Sequence, residues 1–416
     1  MAVAIAAPDV MDFRTALLDE VLSFWERSVD REFGGYLVDI DRNGEIVGRG
    51  DKHIITTARQ LYSFSLGYRV GGRAAHLDAA RQGFEFLRQR FYDERNGGWF
   101  RTTTRTGEPT DRRKNPYGIV FAVYALAEYY QASKDEAALR LAAETYDLYD
   151  RHAWDHENGG VFFDLAEDWS VSDSSKSAGH MLHAMEATSG MYAATADQRY
   201  LRDLNRLCDT YVTRTFDPQT GCWLEAFDAS WRPNLARMRG LVVYGHLIEA
   251  AAFLSSIAAF TGNETHMRAS RDLLGYTLRH AWDSTHGGFC FFGRPGGGPV
   301  DTDKMWWVQS EGLSALSMAY RLTGDQLYRD WLRDLAEFIQ RYQRDPENGE
   351  WHMLLYADGT VRDGRKGRAS PEDIPAKGAY HVAQGLQHAS RNLEILSRNG
   401  VTRAGDTAAV WADFAL

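Results

Sequence analysis

Six residues at nearly even intervals could do chemistry together. They are Arg59, Tyr117, His183, His246, Glu311 and His381, and their positions climb the chain in steps of similar length. Around them, His183 and Glu186 are three residues apart, as are His246 and Glu249, while Trp307 and Glu311 are four apart. On a helix each of these pairs shares a face. His246 and Glu249 lie in Leu241-Val-Val-Tyr244-Gly245-His246-Leu-Ile-Glu249-Ala-Ala-Ala, which is otherwise apolar. Burying a charge there costs much unless it is paired, so the two need a shared polar reason to be present.

Three histidines, two or three carboxylates and one arginine admit four readings. A metal ion could be shared by His and Glu at such spacing, but there is no His-Glu-x-x-His, no cysteine cluster and no Asp-rich loop. A glycoside hydrolase needs two carboxylates about 5 to 9 Å apart, one of them kept protonated. Glu249 and Glu311 could serve, but the histidines would then be idle. Proton transfer beside a carbonyl suits histidine, whose ordinary pKa lies near operating pH. Arg59, always charged and multidentate, could then hold the oxyanion of an enediolate. This third reading uses more of the set than the first two. The fourth is a sugar-binding or protein-binding module without turnover. Each residue also has a plainer role open to it: a solvated surface group for Arg59, packing for Tyr117, a satisfied core histidine for His180, His183 or His388.

The elements that must position these residues come from a repeat. Asp30-Arg-Glu-Phe-Gly34-Gly35-Tyr36 recurs as Asp93-Glu-Arg-Asn-Gly97-Gly98-Trp99 and Asp155-His-Glu-Asn-Gly159-Gly160-Val161. Three further copies open at Asp217, Asp283 and Asp345. The first glycines of the six copies are Gly34, Gly97, Gly159, Gly221, Gly287 and Gly349, which is one nearly constant period. A fixed period of this kind marks a repeat architecture. Each copy is a turn followed by a short strand, since Asp bonds its own backbone, Gly supplies positive φ, and aromatic or β-branched residues follow. The roughly 50 residues between copies hold two helices of ordinary length. A helix pair cannot bury its apolar stripe alone, so neighbours must stack. Six pairs can close into a ring. The expected fold is an all-α (α/α)6 barrel of six helix-pair repeats with short β-hairpins at one end.

The expected outer helices include 10–28, 74–91 and 135–151, and the expected inner ones start near 55 and at Pro116, a natural first helical residue. Ser172-Asp173-Ser174-Ser175 is a capping cluster for the helix that carries His180, His183 and Glu186. On this plan each repeat puts one polar or aromatic group near the start of its inner helix, and in a closed ring the six converge on one mouth. With 12 Trp, 20 Tyr and 20 Phe, aromatics near that mouth would offer flat faces to a sugar ring.

Composition narrows the rest. No linker or low-complexity tract interrupts the 416 residues, so one catalytic domain spanning 1–416 is expected. A net charge of −10 with interspersed signs argues against nucleic acid as a partner. No apolar run is long enough to span a membrane, and Met1–Pro8 lacks the basic flank and length of a signal peptide. Three cysteines, an odd and sparse set, suggest a reducing compartment. The expectation is a cytoplasmic monomer or homodimer whose partner is a small sugar.

Several stretches resemble the N-acylglucosamine 2-epimerase superfamily, which includes cellobiose 2-epimerases and mannose isomerases. They are Thr57-Ala58-Arg59, His183-Ala-Met-Glu186, Tyr244-Gly245-His246-Leu-Ile-Glu249, Trp306-Trp307-Val308-Gln309-Ser310-Glu311 and Tyr380-His381-Val-Ala-Gln384. They occur in order over nearly the whole chain. The resemblance implies an (α/α)6 barrel, His246 and His381 as the acid/base pair, and Arg59 on the C1–C2 oxygens and enediolate. It implies His183, Glu249, Trp307 and Glu311 as sugar-binding groups, with His183 assisting ring opening. Tyr117 is similar to a substrate-contacting tyrosine of the mannose-isomerising members. No metal and no cofactor is implied, and no Gly-rich phosphate loop is present for a nucleotide. Tyr380-His381-Val382-Ala383-Gln384 is nearer the mannose-isomerising Tyr-His-x-x-Gln than the epimerase patterns that end in Arg. Gln384 is therefore expected near the substrate. Lys377-Gly378 resembles the N-acyl group, whereas Ala252, where epimerases often carry Trp, removes an aromatic platform. The implied substrate is a free hexose, with mannose isomerised to fructose somewhat ahead of epimerisation to glucose. The alternatives are an N-acylglucosamine or cellobiose 2-epimerase and, from another class, an (α/α)6 glycoside hydrolase or a non-catalytic sugar-binding protein.

Overall fold

The computed structural model describes residues 11–368 and 376–401. The Met1–Pro8 stretch and Pro375 lie outside these. Among the described residues the repeat appears as twelve helices in alternation. The outer ones are α1 (13–28), α3 (74–91), α5 (Glu136–His152), α7 (Gln198–Thr215), α9 (Glu264–His280) and α11 (326–343). The inner ones are α2 (Ile54–Gly71), α4 (Pro116–Ser133), α6 (Ala178–Thr195), α8 (Tyr244–Thr261), α10 (Trp306–Thr323) and α12 (Tyr380–Asn399).

Sequence pattern separates the two sets. An inner helix such as α8, Tyr-Gly-His-Leu-Ile-Glu-Ala-Ala-Ala-Phe-Leu, is apolar on nearly every face and is buried along most of its length. A helix of that kind has to lie in a core. An outer helix such as α7 buries only Tyr200, Leu204, Leu207, Cys208, Tyr211 and Thr215, and shows its charged face to solvent. Each inner helix packs on the next, and α12 packs on both α1 and α2, so the ring is closed. Hydrogen bonds join its ends: Ala379 N–H donates to Gln60 Oε1 at 2.8 Å, and Gln60 Nε2 donates to Ser28 Oγ at 3.0 Å.

The Asp-Gly turns form as their residues require. In the third copy Asp155 Oδ1 accepts from the N–H groups of Glu157 and Asn158, both at 3.0 Å, and Gly159 N–H returns to Asp155 O at 2.8 Å. Gly160 holds φ 79°, and a Cβ there would lie 2.2 Å from the Trp231 ring. Both its dihedral and the close approach of that indole demand glycine.

A second repeat escaped the sequence reading. Lys52, Lys114, Lys176, Lys304 and Lys366 follow the turn residues Asp30, Asp93, Asp155, Asp283 and Asp345 at a near-constant interval. Each lysine side chain is fully buried and bonds its aspartate, at 3.0, 2.7, 2.8, 2.9 and 2.6 Å respectively. The fourth repeat has Met238 at this spacing, and its Asp217 is half-exposed. In three of these repeats the lysine lies in a two-residue strand that pairs with the following repeat's hairpin, and Lys114 makes a single bridge to Leu165 of its neighbour. Lys52–His53 pairs with Thr102–Thr103, and Lys176–Ser177 pairs with Ala226–Phe227. The hairpins therefore do more than cap each unit. They tie the first turn of an inner helix to its neighbour, and the candidate residues stand on those turns.

Candidate active site

The hairpin end of the ring opens into a cavity of about 250 Å³. Arg59 of α2, Tyr117 of α4, His183 of α6, His246 of α8, Trp307 of α10 and His381 of α12 all line it. The six inner helices thus deliver one group each to one mouth. Ser177, Gly179 and His180 at the head of α6, Glu225 from the fourth hairpin, and Ile55 and Ala376 complete the wall.

Three of these histidines are held by carboxylates. His381 Nδ1 lies 2.8 Å from Glu311 Oε1, His183 Nδ1 lies 3.0 Å from Glu186 Oε2, and His246 Nδ1 lies 2.8 Å from Glu225 Oε2. Such bonds fix each ring and leave Nε2 as the working nitrogen. Glu225 was not foreseen. It lies in a hairpin and outside the inner-helix register, and its only signal is a lone carboxylate in the apolar run Cys222-Trp223-Leu224-Glu225-Ala226-Phe227. Its own position is set by bonds from Ser177 Oγ at 2.9 Å and Gly179 N–H at 3.0 Å.

His246 accordingly finds its partner in Glu225 and not in Glu249. Glu249 is fully buried, and neither of its oxygens has a hydrogen-bond partner among the described residues. Its nearest cation-forming neighbour is His183, at 3.9 Å. An orphaned buried acceptor pair of this kind calls for donors from outside the protein. Trp307 stands between the two outer histidines, its ring centroid 5.3 Å from that of His246 and 5.4 Å from that of His381.

The helix expected to start near 55 begins at Ile54, so Arg59 belongs to its second turn and is buried. Aromatic faces hold it: the guanidinium carbon is 4.2 Å from the Phe121 centroid and 4.8 Å from that of Tyr380. Its Nη2 donates to the Tyr117 hydroxyl at 3.1 Å, and no carboxylate bonds it among the described residues. A cation held by π faces keeps its charge free for an incoming anion.

These surroundings push the two outer histidines apart. Burial pulls His246 down, but the charge and hydrogen bond of Glu225, then the charge of Glu249, more than offset it, so His246 is raised above the ordinary imidazole value. His381 is pushed well below that value by burial and by the charges of Arg59, His183 and His246. Burial likewise keeps His183 low. Burial raises Glu249 and Glu311 well above the usual carboxylate range, with the charge of Glu186 adding to it in both. Glu186 is raised to about 7 by burial, tempered by bonds from Tyr380 and Gln384. His246 is thus biased toward its charged form and His381 toward its neutral form.

Not every residue named from sequence reaches the mouth. Glu249 and Glu311 lie beneath it, Glu311 behind His381. Gln384 lies deeper, donating to Glu186 Oε1 at 2.6 Å beside the Tyr380 hydroxyl that bonds the same oxygen. It contacts that carboxylate and not the mouth. Ala252 lines a separate cavity of about 110 Å³ at the opposite end of the ring, with Tyr62, Ser314 and His388. Residue 252 therefore says nothing about a platform for a second sugar ring at the mouth. Lys377 is buried away from the mouth, bonding Glu350 and the carbonyl of Trp351 at 3.0 Å.

A metal could find ligands here. His183, His246 and Glu249 form one set and Glu249, Glu311 and His381 another, with the candidate atoms of each set within 4.8 Å of one another. In both sets a histidine Nδ1 is already committed to a carboxylate, and the fixed positive charge of Arg59 shares the site.

The closed ring and its mouth define an (α/α)6-barrel protein with a histidine-lined pocket at one end. Comparison with known proteins gives the family. Residues 35–384 match the family model described as N-acylglucosamine 2-epimerase (GlcNAc 2-epimerase). A cellobiose 2-epimerase of Bacteroides fragilis is 30% identical over 363 residues, covering 84% of this chain and 92% of that protein. A D-mannose isomerase of Marinomonas mediterranea is 24% identical over 390 residues, covering 91% and 98%. The structure of cellobiose 2-epimerase from Bacillus thermoamylovorans B4167 superposes with a TM-score of 0.83 at 26% identity, covering 91% of this chain and 98% of that one. The chain belongs to the N-acylglucosamine 2-epimerase family, whose named members are sugar epimerases and isomerases, and it is an enzyme. Among the described residues no helix is long and apolar enough to cross a membrane.

Proposed function

We propose that the enzyme isomerises and epimerises a free aldose at C2 through an enediolate, with mannose as the aldose and fructose as the favoured product. The observation that carries this is the pair of oppositely biased histidines, His246 and His381, on either side of a mouth that also holds Arg59. His183, neutral and oriented by Glu186, serves ring opening. With the open-chain sugar bound, His381 takes the C2 proton through its free Nε2. The C–H electron pair moves into the C1–C2 bond, and the carbonyl oxygen becomes an oxyanion facing Arg59. His246, biased toward its charged form by Glu225, returns a proton. Delivered to C2 from the other face, it gives glucose. Delivered to C1, with the C2 hydroxyl passing its proton to the C1 oxyanion and becoming the carbonyl, it gives fructose. Glu249, whose two oxygens have no protein partner among the described residues, bonds a sugar hydroxyl from below.

The cavity of about 250 Å³ supports a monosaccharide, since it falls under the roughly 300 Å³ at which pockets for drug-sized ligands begin. Gln384 acts on the outcome only through Glu186. A tenfold preference between the two products needs only about 1.4 kcal/mol. A second reading, a cellobiose 2-epimerase, is favoured by the 30% identity to the Bacteroides fragilis enzyme. We further propose one catalytic domain, working as a monomer or homodimer in the cytoplasm. Three buried cysteines without disulfides, Cys208, Cys222 and Cys290, support a reducing compartment.

The test is incubation of mannose, N-acetylglucosamine and cellobiose in D₂O, followed by NMR. Fructose carrying deuterium at C1 is expected. Glucose labelled at C2 and formed first would reverse the preference, turnover of cellobiose alone would establish the second reading, and no change in any sugar would sink the assignment.

A further inference from the structure

We propose that His180 is a specificity-determining residue whose imidazole bonds a hydroxyl at the end of the sugar remote from C1 and C2. The inference rests on the sugar-isomerising reading of the mouth and adds a contact to it. His180 is the third residue of α6, one turn nearer the opening than His183, and it lines the same cavity. It differs from its three neighbours in one respect. Their Nδ1 atoms are taken by carboxylates, whereas Nδ1 of His180 is buried with no hydrogen-bond partner among the described residues.

The ring is nonetheless fixed. It stacks on Phe163 with centroids 4.7 Å apart and planes 30° apart, and lies 5.4 Å from the Tyr117 ring. Phe163 in turn carries the Arg237 guanidinium at 3.8 Å, and Arg237 is tied to Ser175 at 2.7 Å and to Asp173 at 3.1 Å. A polar group held in one orientation by packing, 6% exposed and without a protein partner, is organised for a ligand. Burial pulls its pKa down to about 3, so it is neutral, with one nitrogen to donate and one to accept. A hydroxyl does both. Without a carboxylate behind it the ring has no means of holding the positive charge that general acid work requires.

Position assigns the hydroxyl. The third inner helix, α6, faces the sixth, α12, across the ring. With C1 and C2 held at Arg59 and His381, the rest of an open-chain hexose extends toward α6. The contact therefore falls on the oxygen at C4, C5 or C6.

His180→Phe keeps the flat stacked ring and removes both nitrogens, and His180→Gln restores a donor and an acceptor. Steady-state rates on mannose and on its 4-, 5- and 6-deoxy analogues read the contact. His180→Phe should lose about ten- to a hundredfold in kcat/KM on mannose, mainly through KM and with an unchanged pH profile. On one deoxy analogue it should match wild type, and His180→Gln should recover part of the loss on mannose. Wild-type KM for His180→Phe on mannose would overturn the proposal. So would an equal loss on every analogue, which is the signature of a packing role. Wild-type silence on every free sugar would overturn the functional reading itself, while an active wild type with an indifferent His180→Phe overturns this inference alone.

Discussion

Replacing Glu225 by Gln tests the assignment of His246 as the charged partner. The substitution keeps the size of the side chain and an oxygen for Ser177 and Gly179, but removes the negative charge 2.8 Å from His246 Nδ1. Burial already works against a charged His246, and the Glu225 charge and bond are the largest opposing influence. A hydrogen bond to a charged group contributes roughly 1.5–3 kcal/mol. At about 1.36 kcal/mol for each pKa unit, its loss lowers the His246 pKa by roughly one to two units. The sign follows from the roles. Turnover needs His381 neutral, which holds above its lowered pKa, and His246 charged, which holds below its raised one. The kcat/KM profile of the wild type should therefore be a bell whose basic limb belongs to His246. In Glu225→Gln that limb should move to lower pH by roughly one to two units, with a ten- to hundredfold loss on the alkaline side and recovery in acid. The assay is initial-rate measurement on mannose from pH 4.5 to 9.5. An unmoved basic limb, or an equal loss at every pH, would refute the reasoning.

Arg59→Lys should be nearly as inactive as Arg59→Ala, because lysine loses the planar fork and its stacking on Phe121; a lysine variant keeping a tenth of wild-type kcat would return Arg59 to a structural role. Activity should persist after exhaustive chelation, since Arg59 already supplies the positive charge an enediolate needs. EDTA inactivation reversed by a divalent ion would instead install a metal on the Glu249 ligand sets. Lys176→Met should destabilise the fold by roughly 3–5 kcal/mol by leaving Asp155 buried and unpaired, while adding Asp155→Asn should recover much of it; urea unfolding of the single and double variants decides this. Asp155 also predicts an acid limb to stability. Burial would raise its pKa, but bonds from Lys176, Asn158 and Glu157 hold it at about 2. Its contribution is thus complete above the ordinary carboxylate range and lost as pH falls toward 2, and a flat stability profile between pH 4 and 2 would contradict it.

The ring was legible because each turn announces itself. Asp and Gly recur at a nearly fixed interval because one hairpin and two helices of fixed length must fit between them. The mouth was legible for a related reason: each inner helix contributes one outstanding side chain at the same register. The buried lysines carry an equally regular signal, each at nearly the same remove from its turn aspartate. Lysine is so commonly a surface residue that the pattern passes unread until the pairs are seen. Glu225 and the aromatic cradle of Arg59 were beyond reach for another reason. Both arise from contacts between repeats, which helical periodicity does not encode.

Depth was the harder coordinate. Helical spacing tells which residues share a face, so His246 and Glu249 are read together, and the family resemblance adds Ala252 to them. Each step of three residues, however, descends about 4.5 Å along the barrel axis. His246 lines the mouth, Glu249 lies in the layer beneath, and Ala252 lines the cavity at the far end. The last inner helix repeats the sequence with His381, Gln384 and His388. A family motif that strings such residues together mixes three layers with different tasks. The top layer lines the mouth. The middle layer gathers Glu186, Glu249 and Glu311 away from water, where three carboxylates cannot all ionise, and burial with mutual repulsion raises Glu249 and Glu311 together. Arg59, His183, His246 and His381 stand against that layer from above. The charge state of the mouth is therefore set jointly with the carboxylates below it, and a change such as Gln384 can alter the balance of products without touching the sugar.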